Sequence, residues 1–291
     1  VLLRHIRYLL AVVDHGGFTR AAAALHVSQP ALSQQIRQLE ALLGAQLLER
    51  SGRGVRTTDA GAAWVEHARR VVLDLDAGRR AIVDVADLSR GALTLAVTPS
   101  FTAYLVAPLV TAFHARHPGV ALSVREMSLE RIEEALARDE ADLGIAFTDV
   151  RSAEIEVRPL HSEQLSLIVG SRHPLRKKAQ VARADFEAVS LALLTRDFVT
   201  RLHIDAHLQR HKLAARVAVE ANSVMSIIEI VRQGSMATIL PDAVALAHGG
   251  LHALGTTPQL PRRRVALLRR AGTYQSAAAR AFTALALEQK Q

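Results

Sequence analysis

Cysteine is absent from the 291 residues. That excludes a disulfide framework, thiolate zinc sites and cysteine nucleophiles together, and it agrees with a reducing cytoplasm, the expected location. No stretch of ~18 uninterrupted apolar residues occurs, and no signal-peptide pattern is visible, so a soluble intracellular chain without membrane contact is expected. Nucleophile elbow, Gly-rich phosphate loop, HExxH pair and paired-carboxylate motif are all missing, which leaves a small-molecule hydrolase without support. A solute-binding transport protein would need an export signal and would have no use for residues 18–56. What is present is a chain longer than one typical domain, 49% hydrophobic and thus able to bury a full core. Its net charge of +8 calls for an anionic partner. A DNA duplex fits better than a membrane surface, because no lipid-binding basic amphipathic helix appears.

Residues 18–43 read as two short helices joined by a tight turn. The first uses Ala21, Ala22 and Leu25 as its apolar stripe, and its small alanines let a second helix cross close above it. His26 and Val27 make the turn. Ser28 is the N-cap of the second helix, Pro30 sits in its first turn where a missing N–H costs nothing, and Leu32, Ile36, Leu39 and Leu43 recur at helical spacing. The opposite face carries Gln29, Ser33, Gln34 and Arg37, side chains able to reach base edges or phosphates from the major groove. The competing reading is an ordinary Ala-rich packing unit with a wet face. Against it stands the next segment, residues 47–56, a short turn holding Arg50, Arg53 and Arg56, the composition of a wing along a sugar-phosphate backbone.

These residues resemble the N-terminal domain of the LysR-type transcriptional regulators. The matching pattern is Phe18-Thr19, Ala21-Ala22, Leu25, Val27-Ser28-Gln29-Pro30-Ala31-Leu32-Ser33, Ile36, Leu39-Glu40, Leu43-Gly44, Leu47, Arg50, Thr58 and Ala60-Gly61, with departures at Leu48 (usually Phe) and Thr57 (usually aliphatic). The expected DNA-binding set is Thr19, Arg20, Ser28, Gln29, Pro30, Ser33, Gln34, Arg37, Arg50 and Arg53. Among these Thr19, Arg50 and Arg53 position phosphates, and Gln29, Ser33, Gln34 and Arg37 lie in or beside the major groove.

A long helix is expected over residues 58–88, opened by Thr58-Asp59 as N-cap and acidic first turn. Trp64, Ala68, Val71, Leu75, Gly78, Ile82 and Val85 are spaced four and three alternately, a heptad seam that implies pairing with a second helix. Packing on its own domain is the alternative. Dimerisation is favoured, since two reading heads then face two half-sites of one duplex, and association into a tetramer and contact with RNA polymerase are further expectations. The domain division expected is residues 1–58 for a winged helix-turn-helix, 59–90 for the linker and dimerisation helix, and 91–291 for an effector-binding domain.

After Arg90-Gly91 the pattern alternates strand, helix, strand, helix, strand, which implies parallel pairing with right-handed crossovers. Strand 92–98, helix 100–114, strand 120–126, helix 129–138 and strand 142–148 make a first lobe. The strand marked by Leu165, Leu167 and Val169 crosses into a second lobe built from 189–194, 201–211, 216–220, 223–233 and 237–240, and 264–268 with 275–288 return to the first. The fold class is α/β, with a periplasmic-binding-protein-like effector domain whose lobe I covers about 91–161 and 265–291 and lobe II about 162–264.

In open α/β sheets pockets form beyond the carboxyl ends of strands, where helix N-termini converge and favour anions. Thr98, Ser100, Phe101 and Thr102 in one lobe and Asn222 and Ser223 in the other are the candidates, with Thr195, Ser128 and Phe147 completing the wall. The plain alternative makes Ser100 and Asn222 simple N-caps. Within the family the chain resembles cyanate-responsive regulators, on Arg4-His5-Ile6, residues 18–40, Ser51-Gly52-Arg53, Ala81-Ile82, residues 84–88, Ala96-Val97-Thr98-Pro99, Phe101-Thr102, Gly144-Ile145-Ala146-Phe147 and Glu220-Ala221-Asn222-Ser223. That resemblance implies cyanate as effector, activation of cyanate-detoxification genes and repression of the regulator's own gene; another small anion or carboxylate is the alternative. No cofactor is expected. His203, His207 and His211 recur every four residues with Asp205 between them, a spacing that could grip a metal but more often marks a solvated face, and no metal is assigned.

Overall fold

A computed structural model describes residues 1–51, 54–84 and 91–288, with residues 50, 51 and 79–84 described by backbone alone. The chain divides into two compact units, Val1–Val83 and Asp84–Gln291.

The first unit opens with α1 (Leu3–Asp14), followed by α2 (Phe18–Ala24) and α3 (Gln29–Leu43). Ile6, Leu9 and Val12 of α1 pack with Ala21 and Ala22 of α2 and with Leu32, Ile36 and Leu39 of α3 in one core. Ser28 caps α3, its hydroxyl accepting from Ala31 N at 3.4 Å. The tight turn before it places His26 in the left-handed region, φ +54°. Gly44 ends α3 at φ +64°, where a residue without Cβ bears no penalty, and Ala45 N closes on the Glu40 carbonyl at 3.2 Å.

The wing is a hairpin of β1 (Leu48–Ser51) and β2 (Gly54–Thr57), in register from Leu48 opposite Thr57 to Ser51 opposite Gly54. Glu40 of α3 fixes its root, one carboxylate oxygen accepting from Leu47 N at 2.9 Å and Leu48 N at 3.1 Å. Thr58 then caps α4 (Asp59–Asp84): its hydroxyl donates to the Gln46 carbonyl at 2.7 Å and accepts from Gly61 N at 2.9 Å. Glycine at 61 is a steric requirement, since a Cβ there would lie 1.9 Å from the Leu47 carbonyl oxygen.

The heptad seam of α4 is split, which corrects the expectation of one continuous stripe. Trp64 and Ala68, with Val65 and Val72, pack on the core of their own unit, because the three short helices leave one side of that core open. Val71 and Leu75 remain 43% exposed each. The side chain of Ile82 and all of Val85 lie outside the described residues.

In the second unit, lobe I is a sheet of order β4-β3-β5-β12-β6, made of β3 (Gly91–Val97), β4 (Val120–Glu126), β5 (Leu143–Phe147), β6 (Ile155–Gly170) and β12 (Arg262–Arg270). Strands β3, β4 and β5 are parallel; β12 runs antiparallel to β5 and β6. One face is covered by α5 (Pro99–Phe101), a π turn (Thr102–Val106), α6 (Ala107–Arg116) and α12 (Ala277–Glu288), the other by α7 (Leu129–Ala137). The single helix expected over 100–114 is thus interrupted. Pro108 has no N–H to offer the carbonyl four residues back, and the wider turn precedes it.

Lobe II pairs the second half of β6 with β10 (Ala237–Pro241) and β11 (Leu251–Thr256). The sheet continues through β8 (Ser190–Leu194) to β9 (Arg216–Ala221), and β7 (Gln180–Val181) joins beyond β11. Its faces are covered by α8 (Arg183–Ala188) and α9 (Val199–Arg210) on one side and α10 (Val224–Gln233) and α11 (Asp242–Ala247) on the other. The strand expected from Leu165 begins ten residues earlier, so one continuous β6 serves both lobes. The two crossing segments are clasped by Gln164, whose amide donates to the Leu260 carbonyl at 2.7 Å while Leu165 N bonds to Pro261 O at 3.1 Å. Among the described residues no helix is long and apolar enough to cross a membrane.

Candidate functional site

The first candidate site is the outer face of α3. Gln29, Pro30, Gln34, Arg37 and Gln38 are exposed along it, and Thr19 and Arg20 stand exposed at the start of α2. Ser33 does not belong with them. It is only 5% exposed, buried with Leu32 and Ile36 at the edge of the apolar stripe of α3. Ser28 is used as the cap. Arg20 is committed locally, donating to the His15 carbonyl at 2.6 Å and the Gly16 carbonyl at 3.2 Å, so it braces the α1–α2 turn. Arg56 is exposed on β2, opposite Glu49. The Arg50 side chain and the whole of Arg53 lie outside the described residues. An exposed polar helix beside a two-stranded arm is a shape that enters a major groove and touches its rim.

The second site lies between the lobes. A cavity of about 100 Å³ is walled by Thr98 and Pro99, by Met127, Ser128 and Leu129, and by Asp197, Phe198 and Val199. The first two groups follow β3 and β4 in lobe I; the third follows β8 in lobe II. Close to it in sequence are hydroxyl oxygens that are buried without a hydrogen-bond partner: those of Thr98, Ser100 and Thr102 in one lobe and Thr195 in the other. Buried polar atoms are normally satisfied, at a net cost of about 1–3 kcal/mol when they are not. Of the four, Thr98 lines the cavity itself.

The expected effector set is therefore only partly assembled. Thr98 and Ser128 line the cavity, Ser128 also capping α7 through Arg131 N at 3.4 Å. Ser100 is fully buried and is not an N-cap, since position 98 holds that place. Phe101 and Phe147 are core residues rather than walls, their rings 4.9 Å apart in the body of lobe I. Ser223 caps α10, accepting from Ser226 N at 3.3 Å, Asn222 is exposed just before it, and neither lines this cavity. Sequence reasoning missed Met127 and residues 197–199, which carry no motif.

It also missed a buried polar cluster where the lobes meet. Arg263 and Glu163 form an ion pair with side chains only 3% and 2% exposed. The same guanidinium donates to Thr200 Oγ1 at 2.8 Å and lies 4.2 Å above the Phe147 ring, while the Tyr104 hydroxyl donates to Glu163. Burial, aided by the Glu163 charge, raises the Tyr104 pKa, so the phenol stays protonated and donating. The visible signal was the run Arg262-Arg263-Arg264, unusual for a strand entering a core.

The histidine row is divided. The His207 and His211 rings lie 4.5 Å apart, His203 turns edge-on to Phe147 with Nε2 3.7 Å from Asp149, and Asp205 is held by Arg201 at 2.8 Å. Among the described residues no group of three or more His, Asp or Glu is placed to hold a metal ion. Burial pushes the His203 and His207 imidazoles below their ordinary pKa, reinforced by the Arg263 charge at the first and by His211 and Arg210 at the second.

Comparison with known proteins adds the following. Residues 3–62 match the family described as bacterial regulatory helix-turn-helix protein, lysR family, and residues 86–291 match the LysR substrate binding domain. The SDS degradation transcriptional activation protein of Pseudomonas sp. (strain ATCC 19151) is 33% identical over 301 residues, covering 99% of this chain and 96% of its own. The probable RuBisCO transcriptional regulator of Trichormus variabilis is 29% identical over 290 residues, covering 97% and 86%. A full-length OxyR variant from Pseudomonas aeruginosa superposes with a TM-score of 0.69 at 26% identity, over 98% of this chain and 93% of that one. Full-length CbnR complexed with its target DNA gives 0.59 at 25% identity, with both chains covered completely. These are regulators and not enzymes, and neither relative's description names cyanate.

Proposed function

We propose, from the premise that this chain belongs to the lysR family of DNA-binding transcriptional regulators with an effector-binding domain, that its effector is a small anion held between the two lobes. The observation that carries this reading is a cavity of about 100 Å³ walled by both lobes, with the buried, partnerless Thr98 hydroxyl in its lining and those of Ser100 and Thr195 close by in sequence. Liquid water takes ~30 Å³ per molecule, and sites for drug-sized ligands run to ~300–1,000 Å³. The void therefore suits an ion of a few atoms. Cyanate fits that description, as does another small anion or carboxylate. An occupant bonded to Thr98 and Ser100 on one side and Thr195 on the other would favour one lobe arrangement over another, and only that difference in affinity can drive a switch.

In this reading Gln29, Gln34 and Arg37 address the operator and the wing lies along phosphates. The exposed Val71 and Leu75 of α4 meet a second protomer, and dimers pair further into tetramers. The protein works in the cytoplasm, activates genes that dispose of the effector through contact with RNA polymerase, and represses its own gene.

The test is a thermal-shift screen of the full chain with cyanate, chloride, formate and acetate. A ligand at 100 times its Kd stabilises the native state by about 2.7 kcal/mol. Cyanate also carbamylates lysine, so the shift must vanish on dialysis. A saturable, reversible shift that Ser100→Ala abolishes is expected; shifts that are equal in both proteins, or absent for every small anion, overturn the reading.

A further inference from the structure

We infer that the second unit carries another ligand site, distinct from the hydroxyl-lined cavity, for a multiply charged anion such as a metabolite bearing two phosphate or carboxylate groups. The site is a cavity of about 450 Å³ between α9 of lobe II and the β5 end and β12 start of lobe I. It is several times larger than the effector cavity proposed above, and the two share no lining residue.

Its wall is predominantly cationic. Arg210, Arg262 and Arg264 are exposed on it, and against them stands only one carboxylate, Asp149. Arg263 adds no net charge, because Glu163 neutralises it. Arg262 spends one N–H on Gln164 at 3.1 Å, whereas Arg210 and Arg264 have no carboxylate partner among the described residues. Guanidinium groups left without a counter-charge inside a concave wall favour planar, bidentate oxyanions.

A second observation points the same way. His207 lines this cavity, is only 7% exposed, and its Nε2 has no hydrogen-bond partner; His203 on the same wall leaves Nδ1 without one. A solvated face would show its ring nitrogens to water, not bury two of them beside a cavity. The elements forming the wall come from both lobes, so an anion bridging Arg210 on α9 to Arg264 on β12 ties one lobe to the other. It would act on lobe geometry independently of the small-anion cavity.

The experiment is calorimetric titration of the full chain with pyrophosphate and with citrate, at matched ionic strength and with chloride as the control, since exposed charges are screened by salt alone. Wild type is expected to bind one of them saturably. The doubly substituted Arg210→Ala/Arg264→Ala protein, altered only at exposed side chains, should bind at least tenfold more weakly with unchanged melting temperature. Ser100→Ala should bind as wild type does. No saturable binding of either probe, undiminished binding in the arginine variant, or a loss produced by Ser100→Ala overturns the inference. So does a variant whose lost affinity is for duplex DNA and not for the probes, which would make the wall a phosphate-backbone contact.

Discussion

Arg263 on β12 and Glu163 on β6 face each other in register, both buried, where the chain passes between the lobes. Taking two charges out of water is costly, and the pair holds only because each is compensated by the other and by Thr200 and Tyr104. Removing one partner leaves the other stranded. Glu163→Ala is expected to destabilise the second unit by roughly 3–5 kcal/mol in urea unfolding, whereas exchanging both residues for apolar ones of similar volume should recover most of the loss. A single-variant cost under ~1 kcal/mol would contradict this account.

The Ser100 hydroxyl, fully buried without a partner, gives the opposite expectation. Ser100→Ala removes an unmet desolvation cost, so the ligand-free protein should be as stable as wild type or up to ~1 kcal/mol more so. A stability loss above ~2 kcal/mol in thermal or urea unfolding would show that the oxygen has a partner after all.

Gly61→Ala tests the join between wing and α4. The added carbon would lie 1.9 Å from the Leu47 carbonyl oxygen, backbone against backbone, with no flexible side chain to yield. Overpacking of this kind costs typically ~1–3 kcal/mol. Lower stability of the first unit and weaker operator binding in gel shifts should appear together; normal stability with normal binding would refute the geometry.

His161, His173, His203 and His207 all have pKa values lowered chiefly by burial. Their unfolded value is near 6.5, so as pH falls below ~6.5 the unfolded chain takes up protons before the folded one. The stability contributed by keeping them neutral is complete above ~6.5 and is lost as pH drops towards the depressed folded values. The melting temperature should therefore decline between about pH 7 and pH 5, and His207→Gln should flatten that slope. A rise on acidification would reverse the sign of the argument.

Much of the first unit was legible because its signals are local. Ser28, Pro30, Leu32, Ile36 and Leu39 write one helix with its cap, and Thr58-Asp59 write the next. Helix α1 has the same kind of pattern in Ile6, Leu9 and Leu10, and only the absence of a neighbouring motif kept it from being read. Ser33 misled because a polar residue at the border of an apolar stripe can be buried with it, as Ser33 is beside Leu32 and Ile36. In the second unit the alternation at Leu165, Leu167 and Val169 was plain, yet the first half of β6 contains Pro159 and charged residues and concealed its continuation. The candidate cavity was half legible: Thr98 and Ser128 follow from the ends of β3 and β4, while Met127 and residues 197–199 carry no motif to single them out.

Thr58 fastens the root of the wing to the first turn of α4 with a single hydroxyl that donates one way and accepts the other. Stalk and wing consequently form a lever without a joint at its working end. At 26 residues and 1.5 Å per residue the arm is about 39 Å long. A tilt of ~10° imposed at its far end displaces the tip by roughly 7 Å, about two base-pair steps along a duplex. Small rotations at one end of α4 are thus magnified at the other.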